Sequence, residues 1–190
     1  MSQSSTQWSA CFLCALYPAA RRAPILASAL AVFGIGSGAI LGAWGLELIG
    51  GYVPCELCLT QRVPYYVGLP IAAAVAFAAC RGLPSTPLRI GLLLVAAAML
   101  TTAGYAAYHT GVELHWWPGP TDCSGGLAGG LPPLSANDDL MEKMRSTRLV
   151  RCDEPALVIF GLSLAAWNVA VSTGLAVMAA WGALAKPLRA

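Results

Sequence analysis

Four stretches of this chain are almost wholly apolar. Residues 25–46, 63–80 and 155–185 carry no formal charge, and neither do residues 90–112 apart from a neutral His109. A run of about 18 or more apolar residues is long enough to cross the hydrocarbon of a bilayer. Backbone polar groups in lipid must be satisfied within the segment, so each run is expected as a helix. The period-2 alternation of a membrane barrel is absent. The pattern predicts an all-α integral membrane protein, a four-transmembrane-helix bundle with spans at about 25–49, 63–80, 90–112 and 156–184. A long loop should join the third and fourth helices. The working unit is one domain over residues 25–185, with an N-terminal tail over 1–24 and a C-terminal tail over 186–190.

Composition sharpens this. The 190 residues are 57% apolar and 11% charged, against about 25% charged for a soluble domain. The net charge of +2 gives no case for nucleic acid, because many of the basic residues sit beside the spans. The first apolar run is too long and begins too far in for a cleavable signal peptide. Arg21 and Arg22 precede span one, Arg81 and Arg89 bracket the turn between spans two and three, and Lys186 and Arg189 follow span four. With four spans these segments share one side, which the positive-inside bias makes cytoplasmic. The opposite side then holds the turn GGYVPCELCLTQR and the segment 113–154, where acidic residues accompany the basic ones.

That sidedness sorts the seven cysteines. Cys11, Cys14 and Cys80 fall inside, whereas Cys55, Cys58, Cys123 and Cys152 fall outside, where disulfides persist. Four outer cysteines allow three connectivities. Nearness in sequence favours Cys55–Cys58 and leaves Cys123–Cys152. Two CxxC motifs, CFLC at 11–14 and CELC at 55–58, could together supply a four-cysteine zinc site, but a span separates them, so no metal is expected. CFLC reads as an incidental pair on a tail, and Cys80 as a small buried hydrophobe.

CELC is the motif with chemistry. A CxxC closes a small and often reducible disulfide, and a helix N-terminus or a nearby cation favours the reactive thiolate. Cys58 should lie near the N-terminus of the second helix, where the macrodipole favours an anion. Arg62, four residues on, would stand over Cys58 on one helical face. Pro64 would sit in the first turn or break a turn already begun. The plain alternative for Arg62 is a snorkelling anchor. There is no haem-attachment CxxCH and no dinucleotide GxGxxG after a strand, so a lipid-soluble quinone is the simplest electron acceptor at this depth. Gly34, Gly38 and Gly42 in span one suggest close helix–helix contact.

In the long outer segment, Trp116 and Trp117 suit an aromatic belt. Residues 123–133 are glycine-rich. Residues 135–149 suit a short amphipathic helix on the membrane surface, opening on a Ser135/Asp138 capping pattern, or else core packing under the loop. His109, near the outer end of span three, could bond a quinone oxygen or relay a proton, or could simply be solvated. Asn168, midway along span four, reads as an interhelical hydrogen bond.

CELCLTQR on the first outer loop, Cys123 in TDCSGG and Cys152 in VRCDEP on the second, and four spans with inside termini together resemble the disulfide bond formation protein B family. The resemblance covers roughly residues 25 to 185. It implies a bacterial inner-membrane thiol oxidase with periplasmic redox loops. It further implies that a reduced periplasmic thioredoxin-fold dithiol oxidase, DsbA-like, attacks a Cys123–Cys152 disulfide. Electrons would pass to Cys55–Cys58 and on to ubiquinone or menaquinone, with Arg62 beside the quinone. Two other readings remain. One is an oxidoreductase of the vitamin K epoxide reductase type, whose CxxC lies late in the chain. The other is a non-catalytic scaffold stapled by its outer disulfides.

Overall fold

A computed structural model of the chain describes residues 24–120 and 152–185. Four long helices dominate it: α1 (Pro24–Leu48), α2 (Glu56–Cys80), α3 (Ser85–Glu113) and α4 (Leu164–Leu184). All four are long and apolar enough to cross a membrane. They form a ring in which α1 packs on α2 and α4, and α3 packs on α2 and α4. The core is narrow, with Val32, Leu92, Val95, Met99 and Leu175 fully buried along its axis. Large apolar side chains such as Leu41, Val67, Leu94, Leu100 and Val177 point outward, as they must where lipid replaces water.

The helix ends explain the bounds. Pro24 opens α1, where its missing N–H costs nothing. Cys55 caps α2 in extended backbone, its sulfur accepting from the Cys58 amide. Span two therefore begins seven residues before the expected 63. Pro64 and Pro70 lie inside the helix, so Pro64 neither starts nor breaks it. Beside Pro64, Thr102 of α3 donates to the Gln61 carbonyl at 3.3 Å, the kind of neighbouring donor that lets membrane helices tolerate proline. α3 ends at Glu113, and two residues on, His115 turns the chain away in the left-handed region with φ 57°. The Trp117 ring lies so close over Gly111 that a Cβ there would collide with it.

Span four differs from expectation at its start. Residues 155–163 are not helical. A tight hairpin pairs β1 (Val158–Ile159) with β2 (Leu162–Ser163) around Phe160 and Gly161, both at positive φ. Trp167 Nε1 donates to the Ile159 carbonyl at 3.0 Å and pins the hairpin to α4. The Ser163 hydroxyl caps α4 by accepting from the Ala166 amide. Apolar composition alone made this segment look like helix, although β-branched and turn residues fill it.

The glycine stripe of α1 also differs. Cβ atoms added at Gly34, Gly38 or Gly42 would meet nothing within 4 Å, so these residues are not the close contact between helices. That contact is made by Gly36, against Leu69 and Leu175, and by Ser28 of α1 against Gly182 of α4. Cys80 is exposed and disulfide-bonded, not the buried thiol that its apolar setting suggested. The CFLC motif, Cys123, residues 123–133 and the expected amphipathic helix at 135–149 lie outside the described residues.

Candidate functional site

The site lies at the end of the bundle where α1 gives way to α2 and α3 gives way to the segment before α4. The turn before α2 makes it: Cys55 as N-cap puts its own sulfur and that of Cys58, three residues on, over the first helical turn. The two thiols are free, with sulfurs 3.1 Å apart. Cys55 is buried, and its thiol is held far below the ordinary range, at about 4. The hydrogen bond with the Cys58 thiol is the main cause, and His109 and the Cys58 amide add to it, while burial opposes. A capping position at a helix N-terminus is where a thiolate is best tolerated.

Cys152 is buried against this pair, in one cluster with Cys55, Leu57 and Val112 on which Cys58 also packs. Cys152 is disulfide-bonded. Its partner is not Cys80, which is at the other end of the 25-residue α2, a rise of about 37 Å. The structure thus holds a free dithiol packed beside a half-cystine from a distant part of the chain.

Behind the sulfurs runs a line of polar side chains through the middle of the bundle. His109 Nε2 lies 3.7 Å from Cys55 Sγ and 3.8 Å from a Glu113 carboxylate oxygen. On the other side of the ring, Gln61 Nε2 is 2.8 Å from Nδ1. Asn168 Nδ2 donates to Gln61 Oε1 at 2.7 Å, and the Tyr65 hydroxyl donates to Asn168 Oδ1 at 3.0 Å. Gln61, Tyr65 and His109 are all at least 95% buried. The line joins α2, α3 and α4. Buried polar groups need such partners, since leaving one unmade costs about 1–3 kcal/mol.

Arg62 follows Gln61 on α2 and turns toward α1. Its guanidinium donates to Glu47 at 2.7 Å, in an ion pair largely shielded from solvent. Cys55, Cys58, Gln61, Arg62, Tyr65, His109 and Asn168 all line one cavity of about 560 Å³. Its remaining walls are mostly apolar, with Gly38, Ala39, Gly42 and Ala43 of α1 among them and Glu113 and Glu154 as acidic members. Gly38 and Gly42 of the open stripe on α1 are therefore cavity wall. Volume and lining fit a small, largely apolar ligand with a few polar anchors. Cys55 Sγ, Cys58 Sγ and His109 Nε2 also lie within 4.8 Å of one another, donor types that a thiophilic cation takes.

Of the residues singled out from sequence, Cys55, Cys58, Cys152, Arg62 and His109 meet here, and Cys123 lies outside the described residues. Asn168 bridges helices through Gln61. Sequence reading passed over Glu47, Gln61, Tyr65 and Glu113. Gln61 and Glu47 carried a usable signal, being polar groups inside or at the edge of membrane spans. Tyr65 carried none, because a tyrosine near a membrane face is ordinary.

Comparisons with known proteins bear on the family. The family model for disulfide bond formation protein DsbB matches residues 21–182. Disulfide bond formation protein B 2 of Pseudomonas syringae pv. syringae is 32% identical over 140 residues, covering 72% of this chain and 75% of that protein. An uncharacterised protein of Rickettsia prowazekii is 25% identical over 131 residues, covering 69% of this chain and 72% of its own. No solved structure matches the chain. A free dithiol at a membrane-level cavity, a half-cystine packed against it and a family match across nearly the whole chain lead to one assignment: this multi-pass membrane protein belongs to the disulfide bond formation protein B family.

Proposed function

We propose that this protein reoxidises a soluble thioredoxin-fold dithiol oxidase of the DsbA type and delivers the electrons to a membrane quinone, ubiquinone or menaquinone. The observation that carries the reading is the packing of disulfide-bonded Cys152 against the free Cys55/Cys58 pair on the wall of a membrane-level cavity. The unit is residues 25–185, in the bacterial inner membrane. The termini are cytoplasmic and the loops bearing the cysteines periplasmic, as the basic residues at the opposite end favour.

The exchange is balanced. A partner thiolate attacks the Cys123–Cys152 disulfide, and the partner's second thiol resolves the mixed disulfide, leaving the partner oxidised and Cys123 and Cys152 reduced. One of these then attacks a Cys55–Cys58 disulfide and returns the outer pair to the disulfide, which leaves the reduced CxxC seen here. With Cys55 a thiolate, re-forming the Cys55–Cys58 bond releases two electrons and the one proton of Cys58, and a quinone, when bound, would take up the electrons together with that proton and a second one from solvent to become quinol. The cavity suits that group: its apolar walls would hold a ring, and Arg62 would offer a hydrogen bond to a carbonyl oxygen, with His109 on the wall beside the sulfurs. Cys55 is the thiolate of the pair, stabilised by Cys58, His109 and the start of α2.

The test is reconstitution in lipid with ubiquinone or menaquinone, following oxidation of a reduced thioredoxin-fold partner. Turnover should require the quinone and vanish in each of Cys55→Ser, Cys58→Ser, Cys123→Ser and Cys152→Ser. Retained quinone-linked turnover in Cys58→Ser would sink the reading. If the outer disulfide is only a staple, Cys152 will resist mild reductant in thiol trapping, whereas a catalytic disulfide is labile.

A further inference from the structure

His109 is held by two different kinds of neighbour. In front of Nε2 stand the Cys55 sulfur at 3.7 Å and a Glu113 oxygen at 3.8 Å, both of which accept hydrogen bonds. Behind Nδ1 stands the Gln61 amide at 2.8 Å. A neutral imidazole carries one proton, and the hydrogen bond at one nitrogen decides which nitrogen bears it. The question is what orients the Gln61 amide, since its oxygen and nitrogen differ only in the partners they find.

The answer lies at both ends of a line of amides. Asn168 Nδ2 sits 2.7 Å from Gln61 Oε1, and the Tyr65 hydroxyl is 3.0 Å from Asn168 Oδ1. The Cys55 sulfur and the Glu113 carboxylate call for a donor on Nε2, so Nδ1 accepts from the Gln61 amide nitrogen. The Gln61 oxygen in turn accepts from Asn168, and the Asn168 oxygen accepts from Tyr65. Each link has a donor facing an acceptor, and the Tyr65 hydroxyl, able to donate or accept, completes the line without setting its sense. The Ser172 hydroxyl bonds the Asn168 carbonyl at 2.5 Å, which steadies that turn of α4. The Gln61 carbonyl is tied separately to Thr102, so the backbone on which the amide swings is fixed.

We propose that Gln61 and Asn168 are positioning residues that, opposite Glu113, hold His109 in the tautomer with its proton on Nε2, so that the ring is a hydrogen-bond donor to the Cys55 sulfur. This rests on the reading of Cys55/Cys58 as the reacting dithiol and adds a means of keeping Cys55 an anion inside an apolar bundle. In the other tautomer Nε2 would turn a lone pair toward an electron-rich sulfur, and the two would repel. The polar line thus acts through His109 on the charge that the exchange requires.

The tautomer can be read without quinone or turnover. The chain has two histidines, and His115→Asn leaves one, with asparagine suited to the positive φ at that position. The 15N ring signals of His109 in the reduced protein should report protonated Nε2 and bare Nδ1. In Asn168→Leu the Gln61 amide loses its guide, and both tautomers should appear in comparable amounts. Gln61→Met should do the same, and kcat of either variant should fall roughly tenfold, less than the ~100-fold or more of losing a positioned proton donor outright because His109 itself remains, with the KM for the protein partner unchanged. If Asn168→Leu fails to fold, Gln61→Met removes the partner of Nδ1 itself and should raise the minor tautomer to a detectable share. An unaltered Nε2–H signal in a folded Asn168→Leu or Gln61→Met protein overturns the proposal. Because the signal is recorded on the dithiol form alone, failure of the quinone reading would leave this result standing.

Discussion

At the scale of single residues, Cys55 has the most definite behaviour to test. Its thiol lies at about 4 against an ordinary value of 9.0, so folding favours the thiolate. For an acid with a lowered value, the stabilisation is complete above the ordinary value and is lost as pH falls through the folded one. The ultraviolet thiolate absorbance of the reduced protein should therefore hold steady from about pH 8 to about pH 5. It should drop near pH 4. Cys55→Ser should abolish that signal, and loss of it near neutral pH in the parent would contradict the arrangement. Arg62 poses a different question, because the guanidinium is already bonded to Glu47. If it also faces the acceptor, Arg62→Ala should raise the apparent quinone KM about tenfold, the value of a charged hydrogen bond worth about 1.5 kcal/mol. Glu47→Ala should lower thermal stability and move KM less. Equal loss of stability with unchanged KM in both variants would make Arg62 an anchor only.

At the scale of elements, the sequence was clearest about the helices and least clear about which faces meet. Charge-free runs revealed four spans, because lipid imposes length and apolarity on every segment. The same uniformity hides rotation. With apolar residues all round, nothing in α1 distinguishes Gly36, which packs on Leu69, from Gly38, which faces the cavity. It also hid the hairpin over Val158–Ser163, where an apolar stretch is strand and turn. A stability comparison follows. A Cβ at Gly182 would run into the Ser28 side chain, whereas one at Gly38 would meet nothing within 4 Å. Gly182→Ala should cost about 1–3 kcal/mol, as overpacking does. Gly38→Ala should be neutral or slightly stabilising through its better helix propensity. Thermal unfolding in detergent would decide, and equal effects would mean that α1 and α4 do not meet as described.

At the scale of the whole molecule, the proposed function would have the bundle separate two half-reactions in space. The cysteines announced themselves in sequence, because sidedness divided CELC from CFLC and joined it to Cys152. The cavity did not, since it is made of absences: Gly38 and Gly42 on α1 leave room that no local pattern records. The polar line behind it draws Gln61, His109 and Asn168 from three helices, and only packing brings them together. On the function proposed above, the protein partner would meet the loops and the lipid-borne acceptor the cavity lined by α1 and the first turns of α4. Filling that cavity should therefore stop one half-reaction and spare the other. Gly42→Phe places a ring where an added Cβ has no neighbour within 4 Å, in a space of about 560 Å³. Quinone KM should rise about tenfold or more, because a well-packed ring takes the place of bound ligand. A single turnover with reduced partner, starting from the fully oxidised protein and without quinone, should proceed at the parent rate. A loss of that first exchange in Gly42→Phe, or a quinone KM that does not move, would mean that the acceptor reaches Cys55 and Cys58 by another route.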